Sequence, residues 1–162
     1  MAFYSVDPVL FGVGVSGTTA TLGVNDPELG TRMVVDELEY LFVYNAGGEQ
    51  IGVGQPCVLS GVTGYSVTVS SVTGTDMAIG CRQNSTMPTA TYGWIATRGI
   101  GTVEMGSNNS CVTGELLEVG TEGFALRGNV ETNVTAFPTP AAGKALESLA
   151  SGASGIAYFT FL

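Results

Sequence analysis

The sequence predicts an all-β fold, a single β-sandwich or barrel-like domain, and three observations support this prediction. The chain carries Val, Thr, Ser, Ala and Gly in short apolar runs, which is the composition of strands and turns. From Thr31 onward, β-rich runs recur roughly every ten residues with turn residues between them. The run 65–69 alternates with a period of two, as a half-buried strand does. Many short strands at this spacing are typical of sandwiches and barrels.

The predicted strands are the runs richest in β-branched and aromatic residues. They cover residues 31–35, 38–44, 56–59, 65–69, 77–81, 92–97, 101–105, 115–119, 123–127 and 156–162. Residues 45–48 (Asn-Ala-Gly-Gly) close the second run as a turn. The last run is apolar enough to require burial, so we expect a central strand there. Residues 139–150 are rich in alanine and predict a short helix or a loop, with Gly143 counting against the helix.

The chain divides into an extended N-terminal arm, residues 1–27, and a β-domain, residues 28–162. The arm is apolar, is interrupted by Pro8 and ends in a turn at Asn25-Asp26-Pro27. An apolar terminus would fray unless it docks on something, so the arm either reaches a partner or adds an edge strand to its own domain. The start of the chain lacks a basic region, which argues against a signal peptide. No apolar stretch is long enough for a membrane-spanning helix.

The low charge of the chain predicts a protein that works in an assembly. Charged residues make up 12% of the sequence, against about 25% in ordinary proteins, and large apolar surfaces usually mark partner sites. The alternative is a monomer that Ser, Thr and Asn keep soluble. The net charge is −9, and the basic residues are scattered, so we expect neither nucleic acid nor a membrane as a partner. The five are Arg32, Arg82, Arg98, Arg127 and Lys144.

The residues needed for catalysis are scarce, so the sequence predicts neither an enzyme nor a bound cofactor or metal. The chain has no histidine, the usual base for a serine or cysteine nucleophile. Cys57, Cys81 and Cys111 are odd in number and lack CxxC spacing, so we expect buried free thiols.

Two local patterns resemble functional motifs without their structural context. Residues 12–17 match GxGxxG, but a β-rich run follows where a nucleotide-binding motif needs a helix. In the acidic run 36–39, Glu37 and Glu39 would share one face of a strand as a carboxylate pair, which is the basis of a hydrolase hypothesis. The run lacks the loop spacing of an EF-hand calcium site. A solvated hairpin edge is the interpretation we favour.

Trp94, the single tryptophan, lies in the run 92–97 together with other aromatic and apolar residues. Alternation places Tyr92, Trp94 and Ala96 on one face of that strand. Aromatic side chains with a polar group suit both cores and interfaces, and the core is the placement that we favour.

Four segments give the chain a resemblance to a known family. They are 29–32 (LGTR), which leads into the acidic run, 40–48 (YLFVYNAGG), 52–58 (GVGQPCV) and 92–99 (YGWIATRG). The sequence from about residue 29 to residue 128 resembles capsid decoration (cement) proteins of tailed bacteriophages, in which such turns and strands succeed one another.

The resemblance implies a structural protein with no catalytic residues. It would bind the major capsid protein on the outer surface of the virion, after synthesis in the host cytoplasm, and hold neighbouring capsomers together. It would also bind itself, as a homotrimer or alternatively a dimer. The candidate contact residues are Phe3, Tyr4, Leu10, Phe11 and Trp94. A tail-fibre or receptor-binding module is the alternative function.

Overall fold

The structure, a computed structural model, describes residues 14–60, 64–69, 78–120, 123–126 and 142–161. This part of the chain is all-β, contains no helix and forms one extended sheet. Its strands are β1 (Thr18–Thr19), β2 (Arg32–Val35), β3 (Leu38–Asn45), β4 (Pro56–Leu59), β5 (Ser66–Val69), β6 (Ala78–Cys81), β7 (Tyr92–Glu104), β8 (Leu116–Gly120), β9 (Gly123–Leu126), β10 (Gly143–Ala145) and β11 (Ser154–Thr160). In the ranges described, there is accordingly no helical segment that could cross a membrane.

Five strands close on one another to form the first ring. The order around it is β3, β5, β4, β6 and β7, and β7 pairs again with β3. A ring with an odd number of strands cannot be antiparallel throughout. The parallel contact lies between β3 and β5, where Tyr44 is opposite Ser66. Strand β2 extends the ring as a hairpin partner of β3.

A second ring grows from the same long strand. Beyond Arg98, β7 pairs with β11, followed in order by β10, β8 and β9. A parallel bridge between Met105 and Phe124 brings β9 back to the chain directly after β7. The Gly106 amide donates to the Phe124 carbonyl at 2.8 Å and reinforces the closure. Because the 13-residue β7 belongs to both rings, it fixes them relative to one another.

Alternation along β3 and β7 feeds two buried apolar clusters. Leu41 and Ile95 belong to a smaller cluster that the strands and loops of the first ring supply. Phe42 and Trp94 point the other way, into a larger cluster that continues into the second ring with Phe159 and other residues. Both faces of β3 are therefore buried over residues 40–43, and both faces of β7 over residues 93–97, which explains the near-continuous apolar sequence of these segments.

The predicted strand pattern is confirmed for most of the described chain, with two differences. The runs 92–97 and 101–105 form one continuous strand, because Gly99, with φ at +127°, lets the chain pass close to the Glu37 carbonyl. Of the helix or loop expected near the C-terminus, the helix is absent from the described residues 142–150, and residues 146–150 follow a short strand as a loop with one isolated bridge at Leu149. Gly143–Ala145 is strand β10, between β11 and β8, and a side chain on Gly143 would meet the Tyr158 carbonyl.

The prediction of a central C-terminal strand is confirmed for Ser154–Thr160, since β11 pairs with β7 on one side and β10 on the other. The turn predicted after β3 is also present. There the buried Asn45 side chain donates to the carbonyls of Glu49 and Pro88 and accepts from the Gly47 amide.

Candidate interaction surface

The candidate contact residues fall into two groups. Phe3, Tyr4, Leu10 and Phe11 lie outside the described residues. Trp94 is fully buried, with its ring centroid 5.0 Å from that of Phe42. This is the core placement that the sequence favoured, and it leaves Trp94 no exposed surface with which to touch a partner.

The described end of the predicted arm lies on the chain's own domain. Thr18 and Thr19 form β1, which pairs with Gly93 and Tyr92 at the start of β7. Of the two alternatives for the arm, the edge strand therefore holds for this short segment. Residues 1–13 lie outside the described part, so their docking remains a prediction.

Arg82 fastens this segment to the first ring. The side chain is fully buried, and its guanidinium donates hydrogen bonds to one hydroxyl and several backbone carbonyls. The acceptors are Ser85 Oγ and the carbonyl oxygens of Val15, Ser16, Gly17, Ser85 and Trp94. Burial lowers the pKa of Arg82 from its usual value. These contacts give the residue a structural role that its isolated position in the sequence did not reveal.

The described parts of the two motif-like patterns lie just before strand β1 and in the hairpin of β2 and β3. Residues 14–17 of the GxGxxG match lead into strand β1, as the sequence indicated, and no helix follows them. Asp36 and Glu37 form the two-residue turn between β2 and β3, with φ angles of +49° and +67°. The predicted pairing of Glu37 with Glu39 on one strand face is therefore wrong. Glu39 lies in β3 and binds Arg32 at 2.6 Å, so the hairpin-edge interpretation is confirmed.

The cysteines are buried free thiols, as predicted. Burial raises the pKa of Cys57 to about 12 and also raises the pKa values of Cys81 and Cys111. Neutral buried thiols are poor nucleophiles and poor metal ligands. Among the described residues, no cluster of three or more cysteine or carboxylate side chains could hold a metal ion.

An open groove of about 550 Å³ lies where the loop 49–55 meets the end of β7. Glu49, Gln55 and Glu104 are among the side chains that line it. Burial raises the pKa of Glu104. The polar part of its lining consists of the carboxylates of Glu49 and Glu104, the amides of Gln50 and Gln55, and the Ser107 hydroxyl.

The outer face of the second ring carries large apolar side chains in register. Ile100 of β7 lies opposite Tyr158 of β11, Tyr158 opposite Lys144 of β10, and Lys144 opposite Leu116 of β8. Ile156 occupies the next row and is 41% exposed, while Ile100 is 56% exposed. Exposed apolar rows of this kind are typical of surfaces that bind other proteins.

We call this surface the sheet face. It consists of Arg98, Ile100, Thr102 and Glu104 of β7, Ile156 and Tyr158 of β11, Lys144 of β10, Leu146 just after it, and Leu116 of β8. The only ion pair between described residues joins Arg32 to Glu39 elsewhere on the molecule. Arg98, Lys144 and Glu104 therefore make no ion pair with any described residue.

A second set of exposed apolar residues lies on the segment that joins β1 to β2 and at Tyr65, just before β5. We call it the loop patch, and it consists of Leu22, Val24, Leu29 and Tyr65. Val24 is entirely exposed, and the Tyr65 ring packs so closely on Gly30 that a Cβ there would overlap it. The loop patch adjoins the first ring and the sheet face belongs to the second, while Leu59 and Val112 are exposed apolar residues outside both.

No protein-family model matches this chain, and a search of curated proteins finds no match.

Proposed function

We propose that this protein is a structural virion protein that binds the outer surface of a phage capsid and stabilises contacts between capsomers. The resemblance in the segments 29–32, 40–48, 52–58 and 92–99 motivates the proposal. The major capsid protein is the proposed partner, and the protein is also proposed to associate with itself.

The observation that carries the proposal is the presence of two separate exposed apolar surfaces on one small molecule. A protein that stabilises a capsid lattice needs one surface that binds the capsid and can use a second surface to bind its own copies. A protein that works as a monomer needs neither surface. Leu22 and Val24 of the loop patch lie in the C-terminal part of the arm, so this part of the arm presents exposed apolar side chains to a partner. Apolar side chains and main-chain groups of such a segment can dock on a neighbouring sheet edge.

Charge and rigidity also support this function. A net charge of −9 disfavours binding to packaged DNA. Because β7 runs through both rings, a force applied to one ring is transmitted to the other through a continuous hydrogen-bonded strand. Repetition of modest contacts over many equivalent lattice positions would then add up by avidity.

The experiment compares particles assembled with and without the protein. Quantitative gels of purified particles should give hundreds of copies per virion, and electron microscopy should place them on the head. Such copy numbers follow from one or more copies per capsomer on a repeating lattice. A few copies at the tail would support the fibre or receptor-binding alternative and contradict the capsid proposal.

A matched pair of variants tests the loop patch. Val24→Asp should weaken binding to protein-free heads about tenfold or more, because it places a charge in the apolar contact. Val112→Asp, at another exposed valine on the second ring, should bind as the original chain does. Equal binding by both variants would exclude the loop patch as the head-binding surface.

A further inference from the structure

We propose that the sheet face is a self-complementary surface, through which two copies of this chain associate face to face about a two-fold axis. This specifies the self-association that the function proposed above includes. It is tested on purified protein without capsids, so its failure and the failure of capsid binding are distinguishable.

The order of side chains along β7 carries the inference. The outward positions 98, 100, 102 and 104 hold a cation, an apolar residue, a polar residue and an anion in that order. The two charges lie six residues apart along β7, which is at most roughly 20 Å. A stripe with opposite charges at its two ends matches a reversed copy of itself.

A two-fold axis in the interface plane, perpendicular to the strands and crossing between Ile100 and Thr102, produces this reversal. Each β7 then lies over its own symmetry mate, running the opposite way. Arg98 faces Glu104 of the second copy, and the same pair recurs once more by symmetry. An isologous interface requires such a self-complementary arrangement.

The same axis aligns the other strands of the face. The register places Tyr158 opposite Ile100 and Ile156 opposite Thr102, so the axis also passes between Ile156 and Tyr158. Ile156 of one copy therefore packs against Tyr158 of the other. Ile156 and Tyr158 meet near the centre and the β7 charges lie at the ends, while Lys144 is a cation in the same row as Tyr158.

The opposite charges at the two ends of the β7 stripe favour a second copy as the occupant. Arg98 and Glu104 have no ionic partner among the described residues. A partner with a uniformly positive surface would repel Arg98, and one with a uniformly negative surface would repel Glu104. Only a surface with the reversed order of charges satisfies both ends.

The size of the face predicts a weak dimer. Four strands spaced about 4.8 Å apart and some 20 Å long cover roughly 400 Å² per copy, or roughly 800 Å² in total. This is below the standard size of a stable interface, so we expect a dissociation constant in the micromolar range or above. Dimers that are weak in solution can still be fully formed where a lattice holds copies close together.

The test measures mass against concentration by sedimentation equilibrium on the full chain, from about 10 µM to about 1 mM. The proposal predicts an increase from the mass of one chain, 16.6 kDa, toward twice that value. A chain that stays monomeric over the whole range, or that forms trimers, would overturn it.

A charge swap identifies the contact. Arg98→Glu and Glu104→Arg should each weaken association at least about tenfold, because each places like charges opposite one another. The double variant R98E/E104R restores opposite charges and should associate within about threefold of the original chain. If the double variant is no better than the single ones, the proposed pairing is wrong.

Apolar variants separate this face from general loss of solubility or folding. Ile100→Asp should abolish dimers, whereas Leu59→Asp, at an exposed leucine of the first ring, should leave the dissociation constant unchanged. Far-UV circular dichroism and urea unfolding verify that both variants fold. Equal dissociation in folded Ile100→Asp and Leu59→Asp would exclude the sheet face.

Discussion

Replacing Arg82 with methionine tests the structural role of this buried guanidinium. Methionine has similar length and is apolar, so the substitution removes the donors while it largely fills the space. The Trp94 carbonyl, which receives a hydrogen bond of 2.6 Å from Arg82 in the interior, would be left without this donor. Residues 15–17 would lose the donors that hold them to the first ring.

Two opposing effects set the magnitude. An unsatisfied buried carbonyl costs about 1–3 kcal/mol, and each lost bond from a charged donor costs about 1.5–3 kcal/mol before water compensates. The carbonyls of residues 15–17 are only partly buried and can regain water as the segment opens. Removing the guanidinium also removes its own cost of burial. We therefore expect a net loss of about 2–4 kcal/mol, which lowers Tm by roughly 6–12 °C.

Urea unfolding, followed through the fluorescence of the single tryptophan, measures this loss. Hydrogen exchange should show faster exchange at the amides of β1, which pair with β7. Arg82→Lys keeps the charge but not the forked geometry, so it should lose nearly as much stability. Arg32→Met, which removes an exposed ion pair, should cost less than about 1 kcal/mol. If Arg82→Met stays within about 1 kcal/mol of the original stability and the β1 amides exchange at an unchanged rate, Arg82 does not hold residues 15–17 to the first ring.

Three further predictions concern single sites. Glu37→Gly should stabilise the protein by up to about 1 kcal/mol, because glycine adopts the φ of +67° found there without steric cost. The control Glu39→Gly, in strand β3, should destabilise the protein by a similar amount. Lower stability of Glu37→Gly in urea unfolding would contradict the left-handed turn. The Gln83 side chain hydrogen-bonds to both the N–H and the C=O of Thr102 and occupies the space that a Cβ on Gly101 would need. Gln83→Ala should therefore cost about 2 kcal/mol of stability and should make Gly101→Ala less destabilising. Additive losses of stability in the double mutant would exclude this coupling. Because the pKa of Cys57 is raised to about 12 in the folded state, its contribution to stability is full below the unfolded pKa near 8.5 and is lost as pH rises toward about 12. Thiol reagents at pH 8 should label Cys57 at the rate of global unfolding. Faster labelling would contradict its burial.

Sequence patterning located most strands because alternation and turn residues are local signals. The strand predicted at 56–59 has the same bounds in the structure, and β11 is central because it pairs with β7 and β10 while Ala157 and Phe159 are buried. Strand β10 was missed because Gly143, Lys144 and Ala145 have weak β-propensity and are held there by their neighbours.

Other features depend on contacts between distant residues, which no local pattern specifies. The closure of two rings around β7 requires pairings between strands far apart in sequence. The burial of Arg82 is equally non-local, since its acceptors come from residues 15–17 and from Trp94. The positive φ angles at Asp36 and Glu37 were also not predictable, because the usual signal for such a turn is Asn-Gly or Asp-Gly.

The most direct test of the function proposed here is to add the purified chain to capsids that lack it and to count the bound copies after sedimentation. The account predicts saturable binding at hundreds of copies per capsid, together with greater resistance of the heads to heat or loss of pressure, as repeated lattice contacts require. Capsids that bind no protein at saturating concentration, while the chain is folded and its sheet face is intact, would contradict it.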